Sequence, residues 1–181
     1  DAVQRGSALV LVEGEPGIGK SRLIGEMLRS DRLSGCGVLL AACPPVREPY
    51  PLGPVVDGAR RLAGHLRDRD TGGDAGAWGL SSLGGALRPL FPEWADRLPP
   101  TLEPLEDPAE ARHRLFRALT ELVERLGVDV LVLEDAHWAD AATLEWLLTA
   151  TSVVDQDMSV VVTYRPADVA PDSLLPRLTS H

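Results

Sequence analysis

The sequence predicts an α/β fold in which a parallel β-sheet lies between layers of helices as a three-layer sandwich. Short apolar runs without polar alternation are typical of strands that are buried on both faces of a parallel sheet. Segments with apolar residues at helical spacing separate these runs, so the order of elements is βαβααβαβ. Such an order predicts parallel strands joined by crossover helices.

These two patterns locate the elements. Strands are predicted at 7–13, 38–42, 128–133 and 158–164. Helices are predicted at 20–28, 52–66, 108–126 and 139–152, with a short helical stretch at 174–178. The helix at 108–126 has the clearest ends, because Asp107 is a predicted N-cap, Pro108 suits the first helical position and Gly127 suits the end.

Two segments lack both patterns. Prolines between 44 and 54 exclude regular structure there. The segment 70–86 is rich in glycine and poor in large apolar residues, so we expect a mobile loop.

Composition and charge exclude several function classes. The net charge of −9 repels nucleic-acid phosphates, so we expect this domain itself not to bind DNA. No run reaches the roughly 20 apolar residues of a membrane span, and the first residues do not resemble a secretory leader. Cys36 and Cys43 lie near opposite ends of one predicted strand, too far apart for a disulfide. We therefore expect two reduced thiols. We also expect no zinc site, no membrane partner and a cytoplasmic location.

A glycine-rich motif follows the first predicted strand. The residues from Gly14 to Ser21 match the pattern G-x-x-x-x-G-K-[ST], directly after a strand and directly before a helix. Backbone N–H groups of such a loop and the positive end of the helix form a cradle for phosphate. The glycines Gly14 and Gly19 allow close approach, Lys20 is expected to reach the β- and γ-phosphates, and the Ser21 hydroxyl is expected to bind magnesium.

The motif predicts a P-loop nucleotide-binding domain with ATP or ADP and Mg²⁺ as ligands. For its four strands we expect the order 1-4-3-2. The predicted nucleotide-binding residues are Gly14, Glu15, Pro16, Gly17, Ile18, Gly19, Lys20, Ser21 and Arg22. Lys20 is the single lysine of the chain beside seventeen arginines. The one compact ammonium of the chain therefore lies in the motif whose phosphate chemistry requires it.

Two acids follow the third apolar strand. Glu134 and Asp135 come directly after 130–133, at the carboxyl edge where parallel sheets bind ligands. By register, Glu134 takes the magnesium position and Asp135 the position that orients or deprotonates the attacking water. The usual order in such proteins is Asp then Glu. Here the shorter side chain, Asp135, has to reach the attacking water, so we expect slow hydrolysis. Two acids that only solvate a strand end are the alternative.

Three further residues lie at the same edge. Arg165 follows the fourth strand and is a candidate to stabilise transition-state charge; the alternative is that it solvates the strand end or pairs with an acid. His137 and Trp138 follow the two acids and can contact nucleotide or pack against the sheet. For Trp138 we expect packing.

Together these motifs resemble a known family. The strings from Gly14 to Leu23, from Leu131 to Asp140 and from Val162 to Pro166 are similar to the AAA-type ATPase domain of large LuxR-family transcriptional regulators, in the STAND class of signal-transduction ATPases. The segment from Cys43 to Pro54 resembles the family's segment after the second strand.

The resemblance implies a switch. In the family, ADP holds a resting form, and exchange for ATP, prompted by an inducer, permits self-association and promoter activation. DNA is then a partner only through a C-terminal helix-turn-helix domain. We expect 1–181 to be a single P-loop core that lacks this domain, the lid, a fifth strand and the N-terminal segment that contacts adenine.

Other functions stay open at this point. Related ATPase domains accompany nucleotide cyclases and other signalling proteins. A small-molecule kinase also uses a phosphate loop, but the segment 70–86 lacks the arginines that a kinase lid usually carries. A scaffold that binds nucleotide without hydrolysing it is a third possibility.

Overall fold

A computed structural model describes residues 8–46, 50–69, 78–152 and 158–178 of the chain. The strands in this part are β1 (Leu9–Glu13), β2 (Val38–Ala42), β3 (Val130–Glu134) and β4 (Ser159–Tyr164). The α-helices are α1 (Lys20–Leu28), α2 (Gly53–Arg69), α3 (Pro108–Arg125), α4 (Ala141–Thr151) and α5 (Leu175–Leu178). Short 3₁₀ turns cover Asp31–Leu33, Ser82–Leu87, Pro92–Trp94, Ala136–Trp138 and Pro166–Asp168.

The sheet has four parallel strands in the order β1-β4-β3-β2, which confirms the predicted order. In register, Leu11 of β1 pairs with Val162 of β4, and Val132 of β3 pairs with Val161. All four strands therefore end at one edge. The glycine-rich segment from Gly14 leaves β1 at this edge, and Glu134 and Asp135 lie there at the end of β3.

Helices cover both faces of the sheet. Ile24 of α1 packs with Val130, Val132 and Val161 in one buried cluster. On the opposite face, Gly58 of α2 lies so close to Leu39 that an added Cβ would meet the Leu39 side chain at 2.7 Å. Since Leu39 and its neighbours in β2 alternate between faces, the sheet lies between two helical layers.

The contacts within the chain form two compact units. The first contains the sheet and comprises 1–58 and 128–181; the second comprises 59–127. In the second unit, Phe91 stacks on Trp94 with ring centroids 4.3 Å apart, and Trp78 meets Trp94 edge-on at 4.4 Å. The prediction of a single nucleotide-binding core over 1–181 stays a prediction.

The helix boundaries follow their local signals. Asp107 accepts a hydrogen bond from the Ala109 amide at 2.8 Å, and Pro108 begins α3, as predicted. Gly127 after this helix has a φ of 66°, a conformation that favours glycine. Helix α4 begins later than predicted, because Ala136–Trp138 forms its own 3₁₀ turn and Asp140 is the N-cap.

The prediction of a mobile loop over 70–86 is wrong for its second half; residues 70–77 lie outside the described part of the chain. Ser82–Leu87 forms a 3₁₀ turn in which Gly84 and Gly85 are buried. A Cβ on Gly85 would lie 2.0 Å from the Pro100 carbonyl oxygen. These glycines therefore serve close packing. Glu121 also fixes the start of the turn by accepting hydrogen bonds from the amide and hydroxyl of Ser81.

Two further expectations concern thiols and membranes. Cys36 and Cys43 are free thiols, as predicted. Among the described residues, no helix combines the length and apolarity that crossing a membrane requires.

Candidate functional site

The loop from Gly14 to Gly19, here called the phosphate loop, is a compact turn rather than an extended segment. Gly17 and Gly19 have φ values of 78° and 108°, which L-residues with a Cβ rarely adopt. Gly14 has no such φ, but a Cβ there would lie 2.9 Å from Cγ2 of Ile18. Glycines at these positions therefore allow the tight path of the chain.

The phosphate loop leads directly into α1 without a side-chain cap. Gly19 is the N-cap residue, no side chain accepts a hydrogen bond there, and the first turn contains no acid. The first amides of a helix have no partner within the helix. In α1 they remain available to an external anion, which the positive end of the helix also attracts.

Lys20, the first residue of α1, directly follows the phosphate loop. It is a buried cation, with 8% of its surface exposed. Its Nζ donates hydrogen bonds to the carbonyl oxygens of Gly14 at 2.6 Å and Glu15 at 3.1 Å. An ammonium has three N–H donors, so one remains for a ligand even while both contacts persist.

The other predicted nucleotide-binding residues lie on the surface. Exposed members of the set are Glu15, Pro16, Gly17, Ile18, Gly19, Ser21 and Arg22. Ile18 is 70% exposed although it is apolar. The loop is therefore open on the side that faces solvent.

The segment from Glu134 to Asp140, here called the acid loop, begins where β3 ends. Glu134 is half-buried, and its carbonyl oxygen accepts a hydrogen bond from the Cys43 amide. Asp135 has φ 54° and ψ 46°, in the left-handed region that residues other than glycine seldom occupy. Its amide donates to Oγ1 of buried Thr163 in β4 at 3.0 Å. A neighbouring strand thus holds the strained acid.

Asp140 fixes the other end of the acid loop. Its carboxylate accepts from the Thr143 amide at 2.9 Å and from the Thr143 hydroxyl at 2.5 Å. It also accepts from the Leu52 amide at 3.1 Å, 88 residues away along the chain. Leu52 is buried with a φ of 61°, so Asp140 stabilises a second left-handed residue.

The buried thiol of Cys43 lies beside the acid loop. Burial, and next the negative charges of Asp140 and Asp135, raise the pKa of Cys43 to about 12. The thiol is therefore protonated and inert near neutral pH, in line with a packing role at the end of β2.

Arg165 follows β4 and pairs with an acid. Its Nη1 lies 3.4 Å from Oδ2 of Asp168, the alternative considered from the sequence. Its Nε is buried and has no hydrogen-bond partner. The guanidinium is therefore only partly satisfied within the protein.

His137 is a buried imidazole close to Asp168. Its side chain is fully buried, its Nε2 is 3.9 Å from Oδ2 of Asp168, and neither ring nitrogen has a hydrogen-bond partner. Burial is the main cause that lowers the pKa of His137. The charged groups that act on the imidazole are Asp135, Arg165, Asp168 and Lys20. The two acids counteract this lowering of the pKa, whereas Arg165 and Lys20 add to it.

Trp138 does not pack as expected. It retains 39% of its surface exposed, and its ring lies 5.4 Å from the His137 ring at a tilt of 45°. The 3₁₀ turn at Ala136–Trp138 buries the histidine and turns the tryptophan outward.

Sequence reasoning did not predict the contacts of four residues that shape the site. They are Thr163, Tyr164, Asp140 and Asp168. Asp140 carried a local signal, because Asp directly before a helical apolar pattern is an N-cap candidate. The partners of Thr163 and Tyr164 are distant in sequence, and no local pattern indicates them.

The arrangement fits a magnesium nucleotide. The uncapped helix and the glycine turn suit phosphate oxygens. In the described part of the chain, no group of three or more His, Cys, Asp or Glu residues has the geometry to hold a metal ion. Magnesium bound to P-loop proteins usually takes few protein ligands and completes its shell with phosphate and water, so such binding does not require a group of that kind.

Comparisons with known proteins identify similar sequences. A family profile described as "AAA ATPase domain" matches residues 1–163. An uncharacterized protein of Rhizobium meliloti (strain 1021) is 28% identical over 178 residues. That match covers 88% of this chain and 16% of the relative, so the chain spans about a sixth of the relative's length.

Proposed function

Because the chain belongs to the AAA ATPase domain family, we propose that it binds ATP with Mg²⁺ at the phosphate loop and hydrolyses it slowly. The observation that carries this proposal is the start of α1, which has no side-chain cap and no acid in its first turn, with the buried cation Lys20 at its first position. Strand β1, which precedes the phosphate loop, and strands β3 and β4, which precede Asp135 and Arg165, are parallel and end at the same edge of the sheet. Groups from three strands at the carboxyl edge of a parallel sheet suit a nucleotide phosphate.

Binding is assigned to the phosphate loop and α1. The first-turn amides, which no side chain caps, donate hydrogen bonds to phosphate oxygens, and Lys20 adds its remaining N–H donor. Ser21 and Glu134 would hold Mg²⁺, and Arg22 follows Ser21 in the first turn of α1. Magnesium, when bound, neutralises charge on the phosphate oxygens and orients them.

Turnover is assigned to Asp135, with Arg165 in support. Asp135 orients or deprotonates the attacking water, and Arg165 stabilises the charge that develops on the transferred group. Two observations favour a slow rate. Asp135 has the shorter carboxylate in a strained backbone conformation, and Arg165 is already paired with Asp168.

The regulatory role extends this assignment to the whole protein. We propose an ADP/ATP switch domain of a cytoplasmic LuxR-family transcriptional regulator. An inducer prompts nucleotide exchange and self-association, and DNA is bound by a separate C-terminal domain. The much greater length of the Rhizobium relative supports a multidomain context.

A titration with nucleotide tests the proposal. ATP and ADP are added to the protein with and without Mg²⁺, followed by calorimetry, and phosphate release is measured on the same samples. We expect both nucleotides to bind, ATP to depend on Mg²⁺, and phosphate release to be slow. Absence of binding would contradict the proposal, whereas binding without phosphate release would leave a nucleotide-binding scaffold.

A further inference from the structure

The last two residues of β4 each hold one loop of the candidate site. Strand β4 lies between β1 and β3 in the sheet. Consecutive strand residues point to opposite faces, so Thr163 and Tyr164 have different surroundings. We refer to this pair as the β4 clamp.

The side chain of Thr163 supplies a hydrogen bond to the chain that follows β3, just beyond the last residue pair of β3 and β4. The last paired residues of these strands are Leu133 and Val162. One residue further along β4, Oγ1 of Thr163 accepts the Asp135 amide at 3.0 Å. Thr163 is 2% exposed, so water competes little for this contact. A side chain thus extends the pairing of the strands to the left-handed residue.

Tyr164 makes the corresponding contact on the side of β1. Its hydroxyl donates to Oε2 of Glu13 at 2.9 Å, and the two residues are partners in the strand register. Glu13 is the residue directly before Gly14. The contact therefore fixes the point at which the phosphate loop leaves the sheet.

We propose that the β4 clamp positions the two loops independently: Thr163 sets the carboxylate of Asp135 for turnover, and Tyr164 sets the phosphate loop for binding. The inference rests on the proposed ATPase function. Neither residue is placed in contact with nucleotide. Both act through the residues that they hold.

Each contact has a consequence of its own. A residue in the left-handed region keeps that conformation only where its surroundings impose it. Without the Thr163 oxygen, Asp135 can relax and its carboxylate moves, which lowers kcat and leaves the phosphate contacts intact. Without the Tyr164 hydroxyl, the phosphate loop is less well ordered and affinity for nucleotide falls.

The test for Thr163 compares T163V, which keeps the shape but loses the acceptor, with T163S, which keeps the hydroxyl. In T163V we expect hydrogen exchange at the Asp135 amide to accelerate and kcat to fall, each by about tenfold or more, while the Kd for ATP changes by less than about threefold. T163S is expected to behave like the unchanged protein in all three measurements. Unchanged exchange in T163V would overturn the proposal, as would equal losses in kcat and affinity.

The test for Tyr164 uses Y164F. We expect the Kd for ATP to rise by about two- to tenfold, because the variant loses one hydrogen bond, and kcat to be nearly unchanged. An unchanged Kd, or a change confined to kcat, would contradict the role of this residue.

Failure of the clamp and failure of the ATPase proposal are distinguishable. If the unchanged protein neither binds nor hydrolyses ATP, the ATPase proposal fails, and exchange at the Asp135 amide still decides whether Thr163 holds the acid loop. If the unchanged protein binds and turns over ATP while T163V and Y164F match it, only the clamp fails.

Discussion

The phosphate loop and the acid loop begin alike and are held differently. Each leaves the carboxyl end of a parallel strand, and each contains left-handed backbone. In the phosphate loop those residues are the glycines Gly17 and Gly19, and no side chain caps the helix that follows. In the acid loop the left-handed residue is Asp135, whose amide is bonded to Thr163, and Asp140 caps the following helix.

Under the proposed function, the difference is that between a loop that receives a ligand and a loop that holds a catalytic carboxylate. Glycine can adopt the required conformation without support, so the phosphate loop keeps its amides free for an anion. An aspartate keeps the same conformation only where hydrogen-bond partners impose it. The polar groups that make these hydrogen bonds in the acid loop are therefore not available to a ligand. Five predictions sharpen or break this comparison, taken from the largest expected effect to the smallest.

Asp135→Asn tests the chemical role of the acid loop. Asparagine tolerates left-handed backbone, so the fold is kept while the base is lost. We expect kcat for ATP hydrolysis to fall by about 10²- to 10⁴-fold with little change in the Kd for ATP. Measured phosphate release at the original rate would assign the water-positioning role to another residue.

Lys20→Ala tests the binding role of the phosphate loop. Loss of a charge-assisted contact to phosphate is expected to weaken ATP binding by about 10- to 150-fold, measured by calorimetry. Arg29→Ala is the matched control, because it removes a cation at the end of the same helix whose pair with Glu26 is highly exposed. Equal affinities in both variants would remove Lys20 from the site.

Asp140→Ala and Asp107→Ala compare two helix caps. Asp107 accepts one amide of its own helix, whereas Asp140 also accepts the distant Leu52 amide. We expect chemical denaturation to give a loss of roughly 1 kcal/mol for Asp107→Ala and of roughly 2–3 kcal/mol for Asp140→Ala, where a buried amide also loses its acceptor. Equal losses would mean that the link to Leu52 contributes little.

Gly17→Ala and Asp135→Gly test the backbone difference directly. The Ala variant forces a Cβ into left-handed backbone and is expected to reduce the free energy of unfolding by about 1–2 kcal/mol. Relief of strain in Asp135→Gly is offset by the greater freedom of unfolded glycine, so we expect a change below about 1 kcal/mol. Thermal unfolding measures the stability of both variants. A larger loss in Asp135→Gly than in Gly17→Ala would contradict the comparison.

Cys43 reports on the surroundings of the acid loop. Since its pKa is raised from 9.0 to about 12, the thiol is expected to react with a disulfide reagent more slowly at pH 8 than Cys36. The folded state also retains this proton above pH 9, where the unfolded state loses it. Stability contributed by the buried thiol is therefore complete below pH 9 and is lost as the pH rises toward 12. Denaturation of the unchanged protein and of Cys43→Ala across this range measures the difference, and parallel pH profiles would contradict it.

The phosphate loop could be predicted in detail because its determinants are local. The motif is contiguous, and Lys20 bonds to carbonyls only five and six residues away. The same holds for helix α3, whose cap Asp107 and terminal Gly127 adjoin it. The alternating pattern of elements likewise predicted a parallel sheet, while the strand order was expected from the P-loop assignment and not from the pattern itself.

The supports of the acid loop could not be predicted because their partners are distant. Thr163 is 28 residues from Asp135, and Leu52 is 88 residues from Asp140. A glycine-rich composition also misled the prediction for 82–87, since tight packing against Pro100 requires glycine as much as a mobile loop does. Local sequence thus predicts the elements and the candidate residues, while contacts between segments distant in sequence decide how those residues are held.

Amide hydrogen exchange along the chain, with and without ATP and Mg²⁺, tests most directly whether the phosphate loop is built to receive phosphate. We predict that nucleotide slows exchange of the amides from 17 to 22 by at least about tenfold, while the Asp135 amide is already slow beforehand. Exchange at 17–22 that does not respond to nucleotide, or an Asp135 amide that exchanges as fast as an open loop, would contradict the account.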